Sequence, residues 1–173
     1  MSIKDLTQKS FSVLIIRSFG VLLLFGFTLF ITNFFTAENV GRYDFVRSTL
    51  MVLGGLALMG TNQSIIYYSG LLKARKSIES IRTIYFKMLR IIVALSLIIL
   101  GLFLGLFNES AITQTFNSTE SYALILKSIL TLIFFATTML NIDTIRALQN
   151  TILSEIYRSL FRYIPVFIFA IIL

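Results

Sequence analysis

A chain of 173 residues that is 57% hydrophobic and only 13% charged, with a mean hydropathy of +0.89, is too apolar for a soluble domain, where about 45–50% apolar and about 25% charged is usual. It contains no Cys and no His, which excludes disulfides, thiolate catalysis, Cys/His metal sites and imidazole acid–base chemistry; no cofactor and no metal is expected. A formal net charge of +7 would point to nucleic acid on a soluble protein, but on a membrane protein it reports topology, and no nucleic-acid partner is expected.

The apolar excess gathers in five runs, about 11–35, 44–69, 88–107, 122–142 and 151–173. About 18 or more apolar residues mark a candidate span, and about 20 are needed to cross a bilayer. The first run follows Lys4 and Lys9 as a secretory leader would. It exceeds a leader's core of about 7–15 residues, and no small-x-small site follows it cleanly, so it reads as a retained span. The strongly apolar part of the fifth run, from Leu160, reaches Leu173 without a flank. Either that span begins earlier, near Thr151, or the chain is the front piece of a longer one; the second is the expectation. The fold class expected is all-α: a polytopic transmembrane helix bundle forming a single domain over residues 1–173.

Positive charge sets the orientation. Lys4 and Lys9 precede the first span; Lys73, Arg75, Lys76, Arg82, Lys87 and Arg90 lie between the second and third or at the inner edge of the third; Arg146, Arg158 and Arg162 lie between the fourth and fifth or at the inner edge of the fifth. These eleven of the fifteen cations share one side. Cytoplasmic loops collect Lys and Arg, so the N-terminus is expected inside. The opposite side carries Arg42, and its loop 108–121 holds Glu109 and Glu120 with no cation. Asn108-Glu109-Ser110 and Asn117-Ser118-Thr119 in that loop match the glycosylation triplet, a pattern common by chance in such composition. The inner segment 71–90 places Ile78, Ile81 and Tyr85 at helical spacing among cations. It reads as a basic loop that sets topology or as an interfacial helix on anionic lipid.

Three of the spans carry polar stripes. At about 100° per residue, positions seven apart nearly coincide in projection. On the second span Arg47, Gly54, Thr61 and Tyr68 follow that spacing, with Asn62 and Ser69 beside the line and Gln63 opposite. The first span has Arg17, Gly20, Thr28 and Thr32; the fourth has Lys127, Thr131, Thr138 and Asn141. A charge at the bilayer centre costs at least about 2.5–3.5 kcal/mol, which a wet cavity or a partner relieves. Arg17, Arg47 and Lys127 each lie within two turns of a span end and can also snorkel to headgroups. Three cations, each on its helix's polar face, favour a shared cavity. Gly, Ser and Thr stripes also mediate packing, and Gly101-Leu102-Phe103-Leu104-Gly105 reads as a packing motif alone. No clear Asp or Glu lies deep in a span; Asp143 sits at the inner end of the fourth. Cationic walls fit an anionic cargo such as a diphosphate, to which guanidinium offers bidentate pairing.

Arg17-Ser18-Phe19-Gly20, the turn Glu38-Asn39-Val40-Gly41-Arg42-Tyr43, and Met59-Gly60-Thr61-Asn62-Gln63-Ser64-Ile65-Ile66-Tyr67-Tyr68 resemble the N-terminal part of polysaccharide flippases. Ile145-Arg146-Ala147-Leu148-Gln149-Asn150, then Ser154-Glu155-Ile156-Tyr157-Arg158 and Pro165, resemble that family's joint between its fourth and fifth helices. These are the O-antigen and lipid-linked-oligosaccharide translocases of the multidrug/oligosaccharidyl-lipid/polysaccharide superfamily. The resemblance runs over nearly the whole chain. It implies a MATE-like transporter fold of two lobes, of which this chain supplies about five helices of the first, and alternating access about a central cavity. It implies a role in lipopolysaccharide and surface-polysaccharide assembly: flipping an undecaprenyl-diphosphate-linked oligosaccharide, with the missing C-terminal lobe and membrane lipids as further partners. In the related lipid II flippases a first-helix arginine with a glycine three residues on lines the cavity, and Arg17 and Gly20 match that pattern. Arg47 falls only near a second such arginine, and no motif carries over to Lys127. Arg17, Arg47 and Lys127 are thus expected to hold the diphosphate, and Thr61, Asn62 and Gln63 to meet the sugar. The alternatives are a multidrug or small-molecule exporter of the same superfamily, which needs a buried carboxylate, and a truncated fragment inactive on its own. An enzyme of glycan assembly is not expected, because the longest outer loop offers only Glu109 and Glu120.

Overall fold

The computed structural model describes residues 3–74 and 79–172. Arg75, Lys76 and Ile78, on which part of the expected interfacial helix rests, lie outside the described residues, as does Leu173. The described elements are all helical: α1 (Ile3–Phe34), α2 (Ala37–Leu58), α3 (Thr61–Ala74), α4 (Glu79–Leu106), α5 (Glu109–Phe116), α6 (Ser121–Ala147), α7 (Thr151–Ile156), a π-helical turn (Tyr157–Phe161) and α8 (Ile164–Ile172).

Three stretches are long and apolar enough to cross a membrane: Thr7–Phe34, Ile81–Leu106 and Ser121–Ala147. A fourth is a broken pair, Ala37–Leu58 with Thr61–Leu72, bent by 43°. The protein is therefore an all-helical, membrane-compatible chain of three to four candidate spans. Phe11, Ile15, Phe19, Leu22 and Phe25 of α1 recur at three- or four-residue steps, and each is exposed. In water such a stripe would be a liability; facing lipid it is the solvated surface.

The fold divides into two compact units, Met1–Val40 with Ile142–Leu173, and Gly41–Asn141, whose boundaries fall within α2 and α6. In the first unit, α1 packs on α7 and the π-helical turn. Gly20 permits this: a Cβ there would sit 2.6 Å from the Ser159 Cβ and 2.9 Å from the Ser159 carbonyl oxygen. Farther along α1, Phe27 and Phe30 meet the Phe167 ring edge-on at 5.9 and 5.4 Å. α6 ends in a Schellman turn, with Gln149 left-handed at φ 67° and N–H groups of Gln149 and Asn150 donating to the carbonyls of Arg146 and Ile145. The reversal brings α7 back along α6, where the buried Ser154 hydroxyl donates to the Ile142 carbonyl at 2.9 Å.

The fifth apolar run is not one helix. Pro165 has no N–H to give the Phe161 carbonyl, and its ring would collide with it. The backbone widens to a π-helical turn over Tyr157–Phe161 and restarts as α8, with Pro165 at its second residue, where no donor is required.

In the second unit, α2, α3, α4 and α6 close around Ala57, Leu58, Ile65, Ile92, Leu132, Ala136 and Leu140. A smaller cluster joins Phe103, Ile112 and Ile129, with Phe103 stacked on Tyr122 at 5.2 Å. The expected second span breaks at Met59 (φ 42°) and Gly60 (φ 78°), both left-handed. The buried Thr61 hydroxyl donates to the Leu58 carbonyl at 2.6 Å, satisfying one of the carbonyls that a helix end leaves without a partner. The seven-residue line from Arg47 to Tyr68 is therefore interrupted between Gly54 and Thr61. Arg42 donates to Glu120 at 2.6 Å, so the lone cation and one acid assigned to the outer side meet. Gly101 and Gly105 are exposed, and a Cβ on either would meet nothing within 4 Å; among the described residues their face packs against no other helix.

Candidate functional site

Arg17 lies four turns into α1, in the half nearer its N-terminus, with Gly20 one turn farther on the same side. The close approach at Gly20 sets α1 against Glu155 and Ser159. Arg17 Nε donates to Glu155 Oε1 at 2.9 Å and Nη2 to Oε2 at 3.2 Å, a two-pronged pair. The Ser159 hydroxyl donates to the same Oε1 at 3.0 Å. The two sides differ sharply in burial: the Glu155 side chain is 7% exposed and that of Arg17 54%. Glu155 thus relies on Arg17 for its countercharge, whereas the outer edge of Arg17 remains free to meet another group.

A second buried carboxylate lies close by in sequence. Asp143, near the end of α6, accepts from Arg158 of the π-helical turn. The wider turn places Arg158 toward Asp143 while Ser159 faces Glu155. The two pairs tie α1, α6, α7 and the turn together.

Two clefts flank the Arg17–Glu155 pair. One, of about 340 Å³, is lined by Lys9, Ser10, Val13, Arg17, Arg146, Thr151 and Glu155. The other, of about 280 Å³, runs past Gly20 to Arg158, Ser159 and Arg162. Each holds three cations against the one carboxylate of Glu155. Such walls attract oxyanions, and the apolar surroundings strengthen that attraction relative to water. Among the described residues no group of three or more His, Cys, Asp or Glu side chains could hold a metal ion.

No family model, curated protein or solved structure matches this chain. The residues alone carry the functional reading.

The other expected site residues lie in the second unit. Arg47 on α2 is half-buried and Lys127 on α6 is exposed; among the described residues neither has an acidic partner. Thr61 is buried at the break, with its hydroxyl donated to Leu58. Asn62 is half-buried and Gln63 exposed on the first turn of α3. Thr28, Thr32, Thr131 and Thr138 donate to carbonyls three or four residues earlier on their own helices, so these hydroxyls are satisfied locally. A further groove of about 570 Å³ in this unit, between Phe45, Val52, Leu102 and Phe116, is almost wholly apolar and offers nothing to orient a polar ligand.

Glu155 is the residue that sequence reasoning passed over. Its signal was a single acid within the fifth apolar run, in Ile152-Leu153-Ser154-Glu155-Ile156. An ionisable residue in such a run is costly without a partner and marks a site.

Proposed function

We propose that this chain is the first lobe of a MATE-like polysaccharide flippase, which moves an undecaprenyl-diphosphate-linked oligosaccharide across a bacterial inner membrane with its N-terminus in the cytoplasm. The observation that carries the reading is the excess of cations around Arg17. A span-borne arginine, open on one edge, lies between two clefts that each hold three cations and one acid. A site of that sign fits a diphosphate better than a cationic drug. The break at Met59-Gly60 and the π-helical turn are the kind of discontinuity that transporters place beside a cavity. In this reading Arg17 holds the diphosphate, and a second lobe completes the alternating-access machine. In the native host, R17Q/E155Q, which removes the guanidinium without stranding the buried carboxylate, abolishes surface polysaccharide while its membrane level stays near normal; unchanged polysaccharide refutes the assignment.

A second reading has its own support. A cation-coupled exporter needs buried carboxylates, and Glu155 and Asp143 are both buried. Each is held by an arginine, which competes with Na⁺ or H⁺ and leaves this reading behind the first. A deletion strain with drug hypersensitivity and normal glycan would reverse the order.

A further inference from the structure

We propose that the cleft formed by Lys9 and Ser10 of α1, Arg146 of α6 and Thr151 of α7 is a binding site for a phosphate group, carried by a lipid headgroup or free in solution. The two clefts beside Arg17 are not equivalent. In the smaller one Arg158 is engaged by Asp143, and Arg162 lies over the Tyr163 ring at 5.8 Å. In the larger one Lys9 and Arg146 have no acidic partner among the described residues. Arg17 offsets Glu155, the one carboxylate among the described side chains that lines this cleft, so among those side chains the charges of Lys9 and Arg146 have no counterpart.

Those two charges sit on groups suited to a phosphate. The Lys9 ammonium offers three donors, the Arg146 guanidinium a planar fork, and Ser10 and Thr151 add hydroxyls. A phosphate carrying close to two negative charges at neutral pH matches the site, whereas a single carboxylate would leave one cation over. Val13 lines the same cleft and lowers its polarity. The site draws on the same cation excess as the transport proposal but requires binding alone, so a chain that binds phosphate without moving cargo keeps the site and loses the transport reading.

The test is equilibrium binding to the full chain in maltoside micelles, with radiolabelled inorganic phosphate in one arm and a short prenyl diphosphate in the other. Binding of the prenyl diphosphate alone assigns a lipid source, and equal binding of both assigns a free anion; either supports the site if K9Q/R146Q weakens it. Two charge-assisted contacts at about tenfold each give an expected loss of about a hundredfold. The control K87Q/R90Q removes equal charge from exposed positions on α4 and should change affinity less than about threefold. An equal loss in the control, or no binding that depends on Lys9 and Arg146, overturns the site. Should K9Q/R146Q lose its helical circular dichroism, the single variants decide: a loss of about tenfold in each supports the site, and unchanged binding overturns it.

Discussion

Removing either partner of the Arg17–Glu155 pair should have unequal costs, because burial is unequal. Arg17→Gln leaves the Glu155 carboxylate, whose side chain is 7% exposed, with the Ser159 hydroxyl and the weaker pull of Arg158. Orphaning one partner of a fully buried pair costs about 3–5 kcal/mol; with one side half in the open the figure falls to about 2–4. Glu155→Gln leaves an arginine that is 54% exposed and can turn to water or headgroups, at a cost of about 1 kcal/mol. The double variant R17Q/E155Q removes the stranded carboxylate and should recover most of the first loss, ending about 1 kcal/mol below the parent. Unfolding in mixed maltoside–dodecyl sulfate micelles, followed by far-ultraviolet circular dichroism, measures all three. Equal single effects, or a double variant no more stable than R17Q, would refute the reasoning. The double variant also separates stability from function: a folded R17Q/E155Q that still fails to deliver surface polysaccharide assigns Arg17 to cargo, whereas restored polysaccharide assigns it to scaffolding.

Gly20→Ala places a methyl 2.6 Å from the Ser159 Cβ and 2.9 Å from its carbonyl, so α1 must shift, at about 1–3 kcal/mol in the same unfolding assay. Gly101→Ala meets nothing and should be neutral, or stabilising by up to about 1 kcal/mol through helix propensity. Gln149→Gly relieves a left-handed residue at the α6 terminus and should raise stability by about 1 kcal/mol, read as a higher denaturant midpoint. Arg42→Gln breaks an exposed pair with Glu120 and should cost no more than about 1 kcal/mol, shrinking further as salt is added.

The parts of this fold that were readable in advance are those set by hydropathy. The expected spans at 11–35, 88–107 and 122–142 fall on α1, α4 and α6, because a continuous apolar run has few other ways to satisfy its backbone. The second run was readable as apolar but not as broken: the left-handed Met59 has no signature of its own, and Gly60 alone does not end a helix. The fifth run concealed its interruption in Pro165, whose effect appears one turn earlier. Of the site, Arg17 was legible as a charge where charges are costly. Its partner was not, because Glu155 lies 138 residues away and only tertiary packing brings the two together. Lys9 and Arg146 read as topology signals, and nothing in their local context shows that they line one cleft.

That separation of 138 residues has a consequence for how the protein is made. At a synthesis rate of about 5–20 residues per second, Arg17 is polymerised roughly 7–28 s before Glu155 exists. For that interval the first helix must enter the translocon bearing a naked guanidinium, sheltered by lipid phosphates or by the insertion machinery itself. The finished ion pair is therefore a late event in biogenesis, and variants at Glu155 should be caught by membrane quality control after insertion rather than before it.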